Sequence, residues 1–163
     1  MASDIYLKIE GIEGESTDSK HKDWIEVMSF SWGASNPVSA SVSGSGGFSA
    51  GRVSIGDFNV MKMADKASPK IFGLCAQGKE AKTATIEVCR STKNGQEPYM
   101  HYELSDVFIT SVQQAGSGEG GIPSESLSLA FAKVTARYVP VDKTGAKQGN
   151  VPFGWDLSKN EKV

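Results

Sequence analysis

Cysteine and histidine are scarce: the 163 residues contain only Cys75, Cys89, His21 and His101. Two thiols cannot make a disulfide scaffold, and they do not stand in C-x-x-C spacing. Two histidines are too few for a His-rich metal site, so no metal is expected from the spacing. Both cysteines fall in apolar patterned segments and read as buried thiols. No apolar run approaches the roughly 18 residues needed to span a bilayer, which argues against membrane insertion. The opening MASDIYLKIEGIEGES has neither a basic n-region nor an apolar h-region, so no cleaved signal peptide is expected and synthesis in the cytosol is. Excess charge of one sign is missing too: 17 Lys and Arg face 19 Asp and Glu, for a net charge of -2. They are interspersed and leave no basic footprint for nucleic acid.

What is present is an ordinary globular composition, 39% hydrophobic and 22% charged. A chain of this size fits one domain, 1–163, and can bury a substantial core. DIYLKIE alternates Ile5, Leu7 and Ile9 against Asp4, Lys8 and Glu10, the period of a half-buried strand. In WIEVMSFSWG, Ile25 and Val27 mark one face while Met28, Phe30 and Trp32 mark the other. Either both faces are covered or the strand carries a bulge. The connection 34–50 that follows is almost entirely Ser, Gly and Ala. Compact domains join strands with about 4–6 residues, so a loop this long is functional or disordered, and as an arm it can lie against another subunit.

RVSIGDFNVMKM is another extended run, and then the pattern becomes helical at ASPKIFGLCAQGK. Ser68 suits an N-cap, Pro69 the first helical position and Gly78 a C′ stop, with Ile71, Phe72, Leu74 and Cys75 as the apolar stripe. EAKTATIEVCRS alternates Ala84, Ile86 and Val88 against Thr83, Thr85 and Glu87, and Asn94-Gly95 offers the positive φ values of a type I′ hairpin. Two long strands follow, and each changes apolar phase midway, the first near Ser105 and Asp106. Such slips occur at the corners of orthogonally packed sheets or a small barrel. The expected fold is mainly β: a small β-barrel of two packed antiparallel sheets with one lateral α-helix and a long Ser/Gly extended loop. The tail carries a TGAKQGN turn and a last short strand at VPFGWDL, anchored by Trp155.

No catalytic constellation emerges. Gly116, Gly118 and Gly121 satisfy G-x-G-x-x-G, but Pro123 and a period-2 run follow, leaving no helix N-terminus for a pyrophosphate. No cofactor is expected. His101 lies near Glu103 on one strand face, a pair more simply read as a solvated cross-strand contact. Glu10, Glu13, Glu15 and Asp18 lack the order of a calcium loop and read as a solvated acidic loop. Two rival readings are a monomeric all-β carbohydrate or peptide module using Trp24 or Trp155 as a platform, and a small hydrolase using His101 with Glu103.

DIYLKIEGIEGES, SFSWG, the Ser/Gly loop running into RVSIGDF, DKASPKIFGLCAQGK and VPFGWDL, in that order, resemble the haemolysin-coregulated protein (Hcp) family of type VI secretion systems. The resemblance runs from about residue 2 to the C-terminus. It implies a non-enzymatic β-barrel protomer that assembles as a homohexamer, whose rings stack into a tube capped by a spike protein and surrounded by a contractile sheath. It also implies that small effector proteins ride in the lumen and that export needs no cleaved signal peptide. Within that frame Val42, Gly46 and Phe48 are the candidate subunit or ring contacts, the alternative being that Phe48 folds back on its own barrel. Ser29 and Ser31, small and polar between Phe30 and Trp32, are the candidate lumen wall.

Overall fold

A computed structural model describes residues 3–39 and 49–163 of the chain. Strand β1 (Ser3–Ile9) is followed by β2 (Ile25–Val27), β3 (Ser29–Ser31), β4 (Ala34–Ser35), β5 (Val38–Ser39), β6 (Ser49–Ala50), β7 (Ser54–Ile55) and β8 (Phe58–Met63). Then come helix α1 (Ser68–Gln77), the long strands β9 (Ala81–Thr92) and β10 (Gly95–Ala115), and β11 (Ser124–Ala130). The chain closes with β12 (Lys133–Tyr138), β13 (Val151–Asp156) and β14 (Glu161–Lys162).

These strands make two antiparallel layers. The first runs β2-β1-β9-β10-β12-β13-β14 and the second β10-β11-β8-β3, so β10 belongs to both. The phase slips mark where the chain changes layer. Up to Val107, β10 pairs with β9 and β12, whereas from Phe108 it pairs with β11. The turn of the strand is made at Asp106, whose φ is 54°. At Met28 the chain likewise leaves β1 and joins β8, and the Met28 N–H donates to Met61 O across 2.8 Å. Strands that pass continuously from one layer to the next form the corners, but the ladders do not run round into a closed barrel; in that respect the barrel expectation is corrected.

Between the layers lie Leu7, Ile86, Leu104 and Val134 from one side and Phe58, Val60, Leu127 and Leu129 from the other, all essentially inaccessible. Phe30, Trp32 and Phe58 surround Tyr102, with ring centroids 5.4–5.6 Å from it. Helix α1 packs beside β10 with Ile71 buried, Leu74 and Cys75 half-buried and Phe72 on its exposed side. Cys75 is therefore less enclosed than the stripe suggests, because the helix buries a narrow edge rather than a broad face.

Two local expectations change. Ser68 does not cap the helix: its hydroxyl accepts from the Asp65 N–H and donates to Glu125, while Asp65 Oδ1 accepts the Ala67 N–H. Gly78 does end the helix, in the left-handed conformation with φ 60°. The β9–β10 hairpin forms, yet Gly95 alone has positive φ and Lys93 and Asn94 do not. That is the pattern of a turn followed by a glycine bulge rather than a type I′ turn.

The 34–50 connection is not a featureless tether where it is described. Strand β4 pairs with β7 and β5 with β6, so the chain runs out and back as a narrow two-stranded arm. Gly51 donates to Pro37 O at 2.8 Å, and a Cβ at Gly51 would come within 2.8 Å of that oxygen. Arg52 at the base donates to Leu157 O, 3.0 Å away, tying the arm to the C-terminal segment.

Candidate functional site

The second layer presents an outward face of unusual chemistry. Strands β3, β8 and β11 alternate strictly, with Phe30, Phe58, Val60, Leu127 and Leu129 inward. Ser29, Ser31, Asn59, Met61, Ser126 and Ser128 point the other way. Ser29 and Ser31 stand exposed opposite Met61 and Asn59, and Ser126 and Ser128 lie opposite the same two residues on the far side of β8. Small hydroxyls thus flank a ridge of Asn59, Met61 and Met63, and Ser128 Oγ donates to Asn59 Oδ1 at 2.7 Å.

These three strands hold only two charged residues, Lys62 and Glu125, and both turn inward. Lys62 Nζ lies 2.6 Å from Glu125 Oε1 and also reaches Met63 O, Asp65 Oδ1 and Ser68 Oγ within 3.3 Å. Glu125 Oε1 accepts from Ser68 Oγ as well, and Oε2 accepts from Gln114 Nε2 at 2.8 Å. Burial pushes the Glu125 carboxyl up, but the hydrogen bonds from Lys62, Ser68 and Gln114 outweigh it and hold the group below the usual carboxylate range. The outer face keeps no charge, and the start of α1 is tied to the sheet.

The outer face of the first layer is different. Near β1 and β9 it is covered by the 10–24 segment, which folds back on itself: Gly14 donates to Asp23 O and Ser16 to Trp24 O. A Cβ on Gly14 would lie 2.5 Å from Trp24 O, so only glycine permits this approach. The segment inserts His21, stacked on Tyr6 at 4.3 Å and met edge-on by Trp24 at 4.9 Å. His21 Nδ1 is 2.7 Å from Asp18 Oδ2 and Nε2 is 2.6 Å from Glu87 Oε2. Glu87 Oε1 is 3.0 Å from His101 Nδ1, and Cys89 Sγ is 3.7 Å from His21 Nε2. Burial, reinforced by Glu87, Asp18 and Asp4, pushes the Cys89 thiol up to about 12.

The partner of His101 is thus Glu87, directly opposite it in register, rather than Glu103. Asp18, expected in a solvated acidic loop, instead orients a buried histidine. The meeting of His21 with Glu87 is not visible as a motif, since the two are 66 positions apart. Trp24 and Trp155, offered as ligand platforms, are half-buried, Trp155 against the core. Gly120 and Gly121 lie in the β10–β11 loop with positive φ, and a strand follows them. Val42, Gly46 and Phe48 lie outside the described residues.

The profile of a family described as "Type VI secretion system effector, Hcp" matches residues 6–138. The chain is 35% identical over 161 residues to Protein hcp1 of Pseudomonas aeruginosa, covering 98% of each. It superposes on a solved type six secretion system protein with a TM-score of 0.92 at 36% identity, over 99% of this chain and 100% of that one. Hcp1 from Salmonella typhimurium gives a TM-score of 0.78 at 32% identity over the full length of both chains.

Proposed function

Because the chain belongs to the Hcp family of type VI secretion proteins, we propose that it acts as the structural tube protein of such a system. In this reading six copies close into a ring, the rings stack into a hollow tube, and the uncharged outer face of β3, β8 and β11 lines the lumen. The observation that carries the reading is that this face has no outward charge while the only two charged residues of its strands are buried beneath it. A lumen wall of serines and methionines can touch cargo of varied sequence without fixed charge pairing, since Met adapts its shape and Ser accepts or donates as required.

Ring closure needs one heterologous interface whose rotation closes, and stacking needs a second that does not. The arm is suited to the second contact, because among the described residues β4 pairs only with β7 and β5 only with β6, apart from the main layers, and Arg52 ties it down at its base. Residues Val42, Gly46 and Phe48, which lie outside the described residues, are the proposed contacts. A spike protein at the tip, a contractile sheath outside and small effector proteins inside complete the proposed set of partners. The action is mechanical and assigns no covalent step to this chain. No described helix is long and apolar enough to cross a membrane.

Light scattering coupled to size exclusion, with negative-stain microscopy of the peak, tests the assembly. A hexamer mass with ring-shaped particles is the expected result. A monomer at every concentration, with no rings on a templating spike, would refute it.

A further inference from the structure

Among the described residues, one group of His, Cys and carboxylate donors converges on a single point: His21 Nε2, a Glu87 carboxylate oxygen and Cys89 Sγ, all within 4.8 Å of one another. We propose that these three atoms form a site for a zinc ion, which ties the 10–24 segment to β9. The donor mix selects the metal class. Imidazole with thiolate and one carboxylate suits Zn²⁺, whereas Mg²⁺ and Ca²⁺ require oxygen ligands throughout.

The surrounding groups are arranged as outer partners of metal ligands. Asp18 Oδ2 holds the His21 Nδ1 proton at 2.7 Å, leaving Nε2 as the coordinating nitrogen. His101 engages Glu87 Oε1 at 3.0 Å, so the other oxygen, Oε2, is the one turned toward His21. The ring of His21 is clamped between Tyr6 and Trp24 and cannot swing away. His21 and Cys89 are buried, while the side chains of Asp18, Glu87 and His101 beside them keep 14–17% exposure.

Without metal, Nε2 and Oε2 are 2.6 Å apart in hydrogen-bond contact. On binding Zn²⁺, Nε2, Oε2 and Sγ each give a lone pair to the ion, and the protons those atoms carried, the thiol proton among them, pass to buffer. Three protein ligands leave the fourth tetrahedral position to water. No electrons are transferred.

The test uses untagged, chelator-treated full-length protein titrated with Co²⁺ and then Zn²⁺. One equivalent of Co²⁺ should produce tetrahedral visible bands and a thiolate-to-cobalt absorption, both abolished by Zn²⁺. Cys89→Ser should eliminate the thiolate band, Cys75→Ser should leave it intact, and Glu87→Gln should weaken Zn²⁺ binding by about tenfold or more. Zn²⁺ should also raise the thermal midpoint of the wild-type protein and not of Cys89→Ser, and titration in buffers of different ionisation enthalpy should report proton release. Circular dichroism establishes that each variant is folded. Folded wild-type protein without the cobalt spectrum, or with a spectrum that survives Cys89→Ser, would overturn the site and identify the cluster as a hydrogen-bonded network alone. The readout is metal and not assembly, so its failure leaves the tube reading untouched.

Discussion

Lys62 and Glu125 face each other across β8 and β11, side chains buried and 2.6 Å apart, on the inward side of two strands whose outward side carries no charge. The pair links fold and proposed function. Moving both charges inward cleans the outer face, and the cost of burying them is offset by Asp65, Ser68, Gln114 and the Met63 carbonyl.

Removing one partner should be far worse than removing both. Lys62→Met leaves Glu125 as an uncompensated buried carboxylate and should cost about 3–5 kcal/mol in urea unfolding, whereas Lys62→Met with Glu125→Leu should recover most of that loss. A double variant no more stable than the single one would show that the pair does not act as a unit.

Acid should weaken the same contact. Glu125 is held below the usual carboxylate range in the native state, so its contribution is present above that range and lost as pH falls through the lowered native value. The stability gap between wild type and Glu125→Gln should therefore shrink between about pH 5 and pH 3. Urea midpoints across that window measure it, and a constant gap would contradict the assignment.

The corner in β10 depends on a left-handed residue. With φ 54°, Asp106 tolerates a conformation that β-branched side chains do not. Asp106→Val should destabilise by about 1–2 kcal/mol, and Asp106→Gly should stay within about 0.5 kcal/mol of wild type. Equal losses for both would point to the Asp side chain rather than to the backbone.

On the uncharged face, Ser31→Gln should leave the stability of the exposed strand within about 0.5 kcal/mol and still reduce retention of effector proteins in a co-purification assay. Intact retention of every cargo would move the lumen wall elsewhere.

Deleting residues 43–47 should lower the ring and tube population while leaving the thermal midpoint of the domain unchanged. An unaltered population by scattering and microscopy would remove the arm from assembly.

The strands were legible because burial of one face imposes period-2 alternation, and the layer change at Asp106 was legible because crossing a corner inverts that period, whereas at Met28 the same inversion read equally as a bulge or as two covered faces. The same alternation made a mainly β fold legible, and Gly78 marked the helix end through the left-handed conformation that the chain adopts there. None of this required knowing which segments meet. The pairing of Lys62 with Glu125, the folding of the 10–24 segment over Glu87 and Cys89, and the arm's out-and-back pairing of β4 with β7 and β5 with β6 join residues far apart in the chain. A lysine in a strand reads locally as a solvated charge, and Ser68 before a proline reads as a helix cap. Only the tertiary structure decides that both are buried in one cluster, because desolvation and its compensating hydrogen bonds are properties of the assembled neighbourhood and not of any local pattern.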